Sequence, residues 1–169
     1  MNLTLKPLSV HNGIGEYRML QEIDENENGF TNDVKNMSFA AYQSWLVREA
    51  DFAKGQNLPE NWIPQTTYFL YADNQPIGIA RIRHHSCDLL EQRGVGNFGF
   101  GIAKPYRGLG YGGPFFRFIL EKCRVHGYDR IKSFVEIDNI PSNRIFTGSG
   151  AKLLGTFQGM KNVYETVIP

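Results

Sequence analysis

The stretch Phe98-Gly-Phe-Gly-Ile-Ala-Lys-Pro-Tyr-Arg107-Gly-Leu-Gly-Tyr-Gly-Gly113 governs how the rest of the chain is read. Its first half alternates aromatic or aliphatic residues with glycine, the pattern of a strand with one face pared to backbone. Its second half sets glycines at 108, 110, 112 and 113 beside Arg107. Phe116, Ile119, Leu120 and Cys123 then recur at helical spacing, so a helix follows the turn directly. Strand, glycine turn and helix N-terminus in that order make an anion site. Free N–H groups and the helix dipole face a phosphate, and missing Cβ atoms let it approach. Gly112, Gly113 and Pro114 are poor residues for a first helical turn, which favours backbone that a ligand must approach.

Working outward, the pattern predicts a helix over 111–126 ended by Gly127, a strand over 131–138 and a short helix over 142–147. A hairpin of 153–157 and 163–168 closes the chain. Upstream, Leu3 and Leu5 open with a short strand, and 14–23 is helical in spacing. Asp24 to Gly29 reads as a polar loop whose acids are a solvated break. Ser38 is the N-cap of a helix over 39–53, ended by Gly55. Residues 67–71 and 77–83 form an antiparallel hairpin. A polar connection, 88–93, leads into the glycine-rich strand, 95–103. Tyr42, Trp45 and Trp62 are bulky enough to wall a pocket, but core packing is the plainer reading of each.

The 169 residues fit one domain, 1–169, large enough to bury a core. Lys and Arg number 18 against 17 Asp and Glu, so no basic field argues for nucleic acid or a membrane surface. The chain lacks a long apolar run and its opening residues lack a signal-peptide core, so a cytoplasmic location is expected. Cys87 and Cys123 are expected as reduced thiols. His84-His85 suggests a metal, but strand neighbours point to opposite faces and no Cys/His set completes a coordination shell; no metal is expected. Gly94-Val-Gly96-Asn-Phe-Gly99 matches the dinucleotide fingerprint in letters only, because its glycines lie within the strand rather than between strand and helix.

Arg107-x-x-Gly110-x-Gly112 resembles the Arg/Gln-x-x-Gly-x-Gly/Ala signature of the GNAT superfamily of N-acetyltransferases. Asn139-Ile-Pro-Ser142-Asn-Arg-Ile-Phe146-Thr-Gly-Ser-Gly150 resembles a second GNAT segment, Asn-x-x-Ala/Ser-x-x-x-Tyr-x-x-x-Gly. The resemblance covers residues 95–157. It implies an α/β GNAT fold with a mixed central sheet of about seven strands flanked by about four helices. It also implies acetyl-CoA as cosubstrate and a primary amine, small molecule or peptide N-terminus, as acceptor, in a monomer or homodimer. Acetyl transfer would be by direct attack in a ternary complex, so no nucleophilic triad is needed.

Carried over residue by residue, the resemblance gives Phe100 and Ile102 the pantetheine arm through strand backbone. The amide near Phe100 would stabilise the oxyanion. Arg107 and the turn Gly108, Leu109, Gly110, Tyr111 and Gly112 would hold the pyrophosphate, with Asn139 and Ser142 against the cofactor arm. Two departures stand out. Some GNAT enzymes carry a glutamate base where this chain has Gly96, so Glu136 becomes the leading base, with His84, Glu91, Asp138 or a water relay behind it. Many place a general-acid tyrosine where this chain has Phe146. The thiol of coenzyme A is acidic enough, at a cysteine-like pKa of about 8.5, to leave as thiolate. A GNAT-fold protein that binds coenzyme A without turnover is the alternative.

Overall fold

The computed structural model describes residues 2–169. In chain order it contains β1 (Leu3–Pro7), α1 (Ile14–Gln21), β2 (Asn26–Glu27), β3 (Phe30–Thr31), α2 (Phe39–Ala53), β4 (Gln65–Ala72) and β5 (Gln75–Arg83). There follow α3 (Asp88–Gln92), β6 (Phe98–Ile102), α4 (Gly112–Val125), β7 (Arg130–Glu136), α5 (Ile140–Gly148), β8 (Lys152–Phe157) and β9 (Lys161–Val167). Seven of these strands form two antiparallel sheets, ordered β1-β4-β5-β6 and β7-β9-β8. The crossover through α4 brings β7 beside β6 in the same direction, so the combined array is mixed, as expected.

These two middle strands touch only at their starts. Asn97 N–H donates to the Lys132 carbonyl at 3.3 Å, and Lys132 N–H donates to Asn97 Oδ1 at 2.9 Å. Gly96 makes the contact possible, since a Cβ there would lie 2.6 Å from the Lys132 carbonyl oxygen. Beyond that point the strands diverge. The ladder register shows what the divergence exposes. Arg83 N–H donates to Asn97 O and Ala103 N–H to Ile77 O, each at 2.9 Å. Antiparallel pairs alternate, so Gly99 and Gly101 turn their polar groups to β5, and Phe98, Phe100 and Ile102 turn theirs into the gap. On β7 the bond from Ile137 N–H to Met160 O sets the complementary phase, leaving Phe134 and Glu136 to face the gap.

One core lies on the α4 and α5 side, where Ala80 and Ile82 meet Phe115, Phe116, Ile119 and Phe146. The other lies under α1 and α2 and holds Leu20, Ile23, Tyr42, Trp45, Leu46, Phe69 and Ile79. Each fully buried large side chain contributes about 1.5–3 kcal/mol. Tyr42 and Trp45 are therefore core, and Trp62 is 51% exposed. Ser38 Oγ accepts from Ala41 N–H at 3.2 Å, capping α2 as its position predicts.

The polar run Asp24–Gly29 is not a solvated break. It builds the β2–β3 hairpin, turned at Asn28 and Gly29 with φ of 51° and 79°. Asn-Gly is the preferred pair for that turn, but two-residue strands carry too little alternation to be read from letters. The connection 88–93 likewise contains the short helix α3.

Candidate active site

The gap between β6 and β7 widens into a cleft of about 710 Å³. Its walls are the β6 edge, the turn after it, the end of β7, the first turn of α5 and the β2–β3 hairpin. Lys104–Tyr106 form a single 3-10 turn, after which Gly108 and Gly110 take φ of 73° and 86° and α4 begins at Gly112. Those two glycines are required by conformation, since the left-handed region is costly for other residues. A Cβ at 108, 110 or 113 would meet nothing within 4 Å, so open space lies above the turn and the first amides of α4. Leu109 stands outside the cleft and is 62% exposed.

The Arg107 side chain does not point over the turn. Its Nε donates to the Ile102 carbonyl at 2.8 Å, and its Nη2 donates to Glu27 Oε2 at 2.8 Å. This fork holds the Glu27 carboxyl below the usual carboxylate range, against the opposing effect of burial. The hairpin is thereby tied to the turn.

Across the gap, Asn139 caps α5, its Oδ1 accepting from Ser142 N–H at 3.3 Å; both residues line the cleft. Ser133 also lines it, though its hydroxyl is enclosed and has no hydrogen-bond partner. Phe146 is 2% exposed, stacked on Tyr164 at 5.1 Å and edge-on to Phe116 at 4.9 Å. The nearby Tyr164 hydroxyl is committed to Asn143 Oδ1 at 2.9 Å. Glu136, at the end of β7, lines the cleft, and the hairpin tip comes close to it: a Cβ on Gly29 would lie 3.8 Å from its Oε1. Arg81, Arg83 and Lys161 line the same region.

A family model described as the acetyltransferase (GNAT) family matches residues 32–150, a span that includes both the turn and the α5 segment. The chain belongs to the GNAT acetyltransferase family. A curated relative, mycothiol acetyltransferase of Corynebacterium glutamicum, is 34% identical over 74 residues, 44% of this chain. The match spans 24% of that relative's length. Among solved structures, Mycobacterium smegmatis RimJ in complex with CoA-disulfide is similar with a TM-score of 0.69 and 15% identity, over 98% of this chain and 81% of that one. The Campylobacter jejuni N-acetyltransferase PseH in complex with acetyl coenzyme A gives 0.64 and 13%, over 99% and 100%. At these identities the structural likeness establishes the GNAT fold.

Within this GNAT cleft the structure gathers Phe100, Ile102, Arg107, Gly108, Gly110, Tyr111, Gly112, Asn139, Ser142 and Glu136. It leaves His84 out. Arg83 occupies the cleft side of the chain, so His84 faces the other way, stacked on His126 at 4.3 Å with Nε2 2.8 Å from Thr66 Oγ1. Burial, then the neighbouring His126 and His85, pushes its pKa down. His84 is thus withdrawn as a base. Glu91 is also outside, paired with Lys132 Nζ at 2.7 Å, and Asp138 is exposed beyond the cleft lining. The Gly96 position could not carry the glutamate of other GNAT enzymes, because the Lys132 carbonyl occupies the space.

Sequence reasoning missed Glu27, Arg81, Arg83, Ser133 and Lys161. Glu27 had only an Asn-Gly turn beside it as a signal. The others are ordinary strand residues in the one-dimensional pattern.

Proposed function

We propose that this GNAT protein transfers an acetyl group from acetyl-CoA to a primary amine by direct attack within a ternary complex. The observation that carries this reading is the unpaired edge of β6, which ends at a glycine turn and the free amides of α4. An extended amide-bearing arm fits that edge as an added strand, and an anion fits the turn.

Bound acetyl-CoA supplies an activated thioester carbonyl. The Phe100 amide, free of β5 and fixed by the strand, stabilises negative charge developing on that carbonyl oxygen. The backbone of the turn, from Arg107 through Gly108, Gly110 and Gly112, holds the pyrophosphate, while the Arg107 guanidinium stays on Glu27. Asn139 and Ser142 flank the arm at the start of α5. An alkylamine with a pKa of about 10.4 has its neutral form roughly 4–5 kcal/mol uphill at pH 7. Glu136 accepts that proton, directly or through a water, from its position at the top of the gap.

A second reading, coenzyme A binding without turnover, is favoured by one feature. Phe146 stands where many GNAT enzymes carry the acid, and the hydroxyl of its neighbour Tyr164 is already engaged. Free-thiol release from acetyl-CoA over an amine panel separates the two. Gly113→Glu serves as the control, because position 113 has open space and no left-handed φ, so the variant keeps its fold while placing a charge against the phosphate. Amine-dependent release that Gly113→Glu lowers at least tenfold supports transfer. Tight acetyl-CoA binding with no release over the panel supports the second reading.

A further inference from the structure

The charges lining the cleft are unevenly matched. Arg107 is paired with Glu27. Arg81 Nε lies 3.9 Å from Glu49 Oε2 and its Nη2 3.9 Å from Asp33 Oδ2. Arg144, exposed on α5, has no ion pair among the described residues. Arg83 and Lys161 are more enclosed, and among the described residues neither has a carboxylate within ion-pair distance. Each instead spends one donor on a carbonyl of the same short segment, Arg83 Nη1 on Gly96 O at 2.8 Å and Lys161 Nζ on Gly94 O at 3.1 Å. Each keeps further donors beyond that carbonyl, and both residues line the cleft beside the Gly94–Gly96 segment. Desolvation, and then the like charge of Arg81, presses the Arg83 pKa down, which an anion would relieve. A cation this enclosed and lacking a counter-charge is costly, and a ligand that brings the charge offsets the cost.

The proposed base stands on the same face. Glu136 and Lys161 are register partners on β7 and β9, so their side chains share a side of the sheet, while Lys161 stretches away toward Gly94. We propose that the acceptor amine carries a carboxylate, bound by Arg83 and Lys161 at the foot of the cleft while its nitrogen reaches Glu136 and the Phe100 amide. This rests on the transferase reading and adds the acceptor class. Spacing narrows it further. An extended rise of about 3.3 Å per residue sets Phe100 about 13 Å along the chain from Gly96, whose carbonyl Arg83 holds. The carboxylate therefore lies several bonds from the reacting nitrogen, as in an ω-amino acid, rather than on the adjacent carbon.

The test uses two homologous series with acetyl-CoA, ω-amino acids from glycine to 6-aminohexanoate and the corresponding ω-amino amides. The expected result is a kcat/KM preference for the acid over its amide of about ten- to hundredfold at the longer members. That preference should fall toward unity in Lys161→Met and in Arg83→Met. Lys161 is only partly buried, so its variant keeps the proposal falsifiable if Arg83→Met fails to fold. Amides equal to or better than acids, or a preference that survives both folded variants, overturns it. In parallel, 6-acetamidohexanoate and its amide are titrated by calorimetry into the protein with coenzyme A. If no amine is acetylated, the transferase reading falls, and this titration still decides the anion site. Binding that needs the carboxylate and is lost in Lys161→Met upholds the site, and equal binding of acid and amide removes it.

Discussion

The two halves of the cleft are made of different material. The half formed by β6, the turn and the start of α4 works through backbone: free amides of a splayed strand, two left-handed glycines and a helix N-terminus. The other half works through side chains drawn from β2–β3, β5, β7 and β9: Glu27, Arg81, Arg83, Glu136 and Lys161. A backbone site constrains residue type along one continuous segment, and glycine is its written trace. A side-chain site needs only that distant residues share a sheet face, and each of them alone looks like an ordinary strand residue. On the proposed function, the backbone half takes the cofactor and the side-chain half takes the acceptor.

The largest expected effect breaks the joint between the halves. Gly96→Ala places a methyl 2.6 Å from the Lys132 carbonyl, a backbone atom that cannot swing aside. We expect a loss of about 3 kcal/mol in chemical denaturation, near the top of the range for overpacking, with loss of acetyl-CoA binding in the fraction that folds. A variant as stable as the parent would mean that β6 and β7 do not depend on this contact. Next comes Glu136→Gln, confined to the acceptor half. It should lower kcat by about 10²–10⁴-fold while KM for acetyl-CoA changes less than twofold to threefold, by the order of magnitude expected when only a transition-state interaction is lost. An unchanged kcat would return Glu136 to the status of a strand residue and leave the proton to water.

The smallest effect probes the tie between the halves. Arg107 is shared: its signature position belongs to the turn, yet its guanidinium is held by Glu27 of the hairpin. Glu27→Gln should release the fork toward the anion and tighten acetyl-CoA about two- to fivefold in calorimetry, the scale of one partly exposed ion pair. The gain should shrink at high salt. Weaker binding would show instead that Arg107 serves the anion only when the hairpin holds it in place.

What could be read from the letters follows the same division. The segment Phe98–Gly113 disclosed strand, turn and helix because glycine placement and helical spacing are local properties. The second segment was legible only through its resemblance to a GNAT motif; the structure adds that Asn139 caps α5. His84 misled because a titratable residue at a strand end has two faces open to it, and only the register tells which one meets the cleft. Arg83, its neighbour, took the cleft side. The Asp24–Gly29 run was misjudged because its acids were weighed as solvated charge, whereas Glu27 and Asp24 meet Arg107 and Lys104 far along the chain. Distant pairing of that kind has no local signature.

The central claim is that an arm of acetyl-CoA completes the β6 edge. Residue-resolved amide hydrogen exchange, with and without coenzyme A, tests it through the alternation of the ladder. Phe98, Phe100 and Ile102 face the gap, and Gly99 and Gly101 are already bonded to β5. Binding should slow exchange at gap-facing amides of β6, Phe100 foremost, and change Gly99 and Gly101 little. Equal protection along the whole strand, or none at Phe100, would contradict the account.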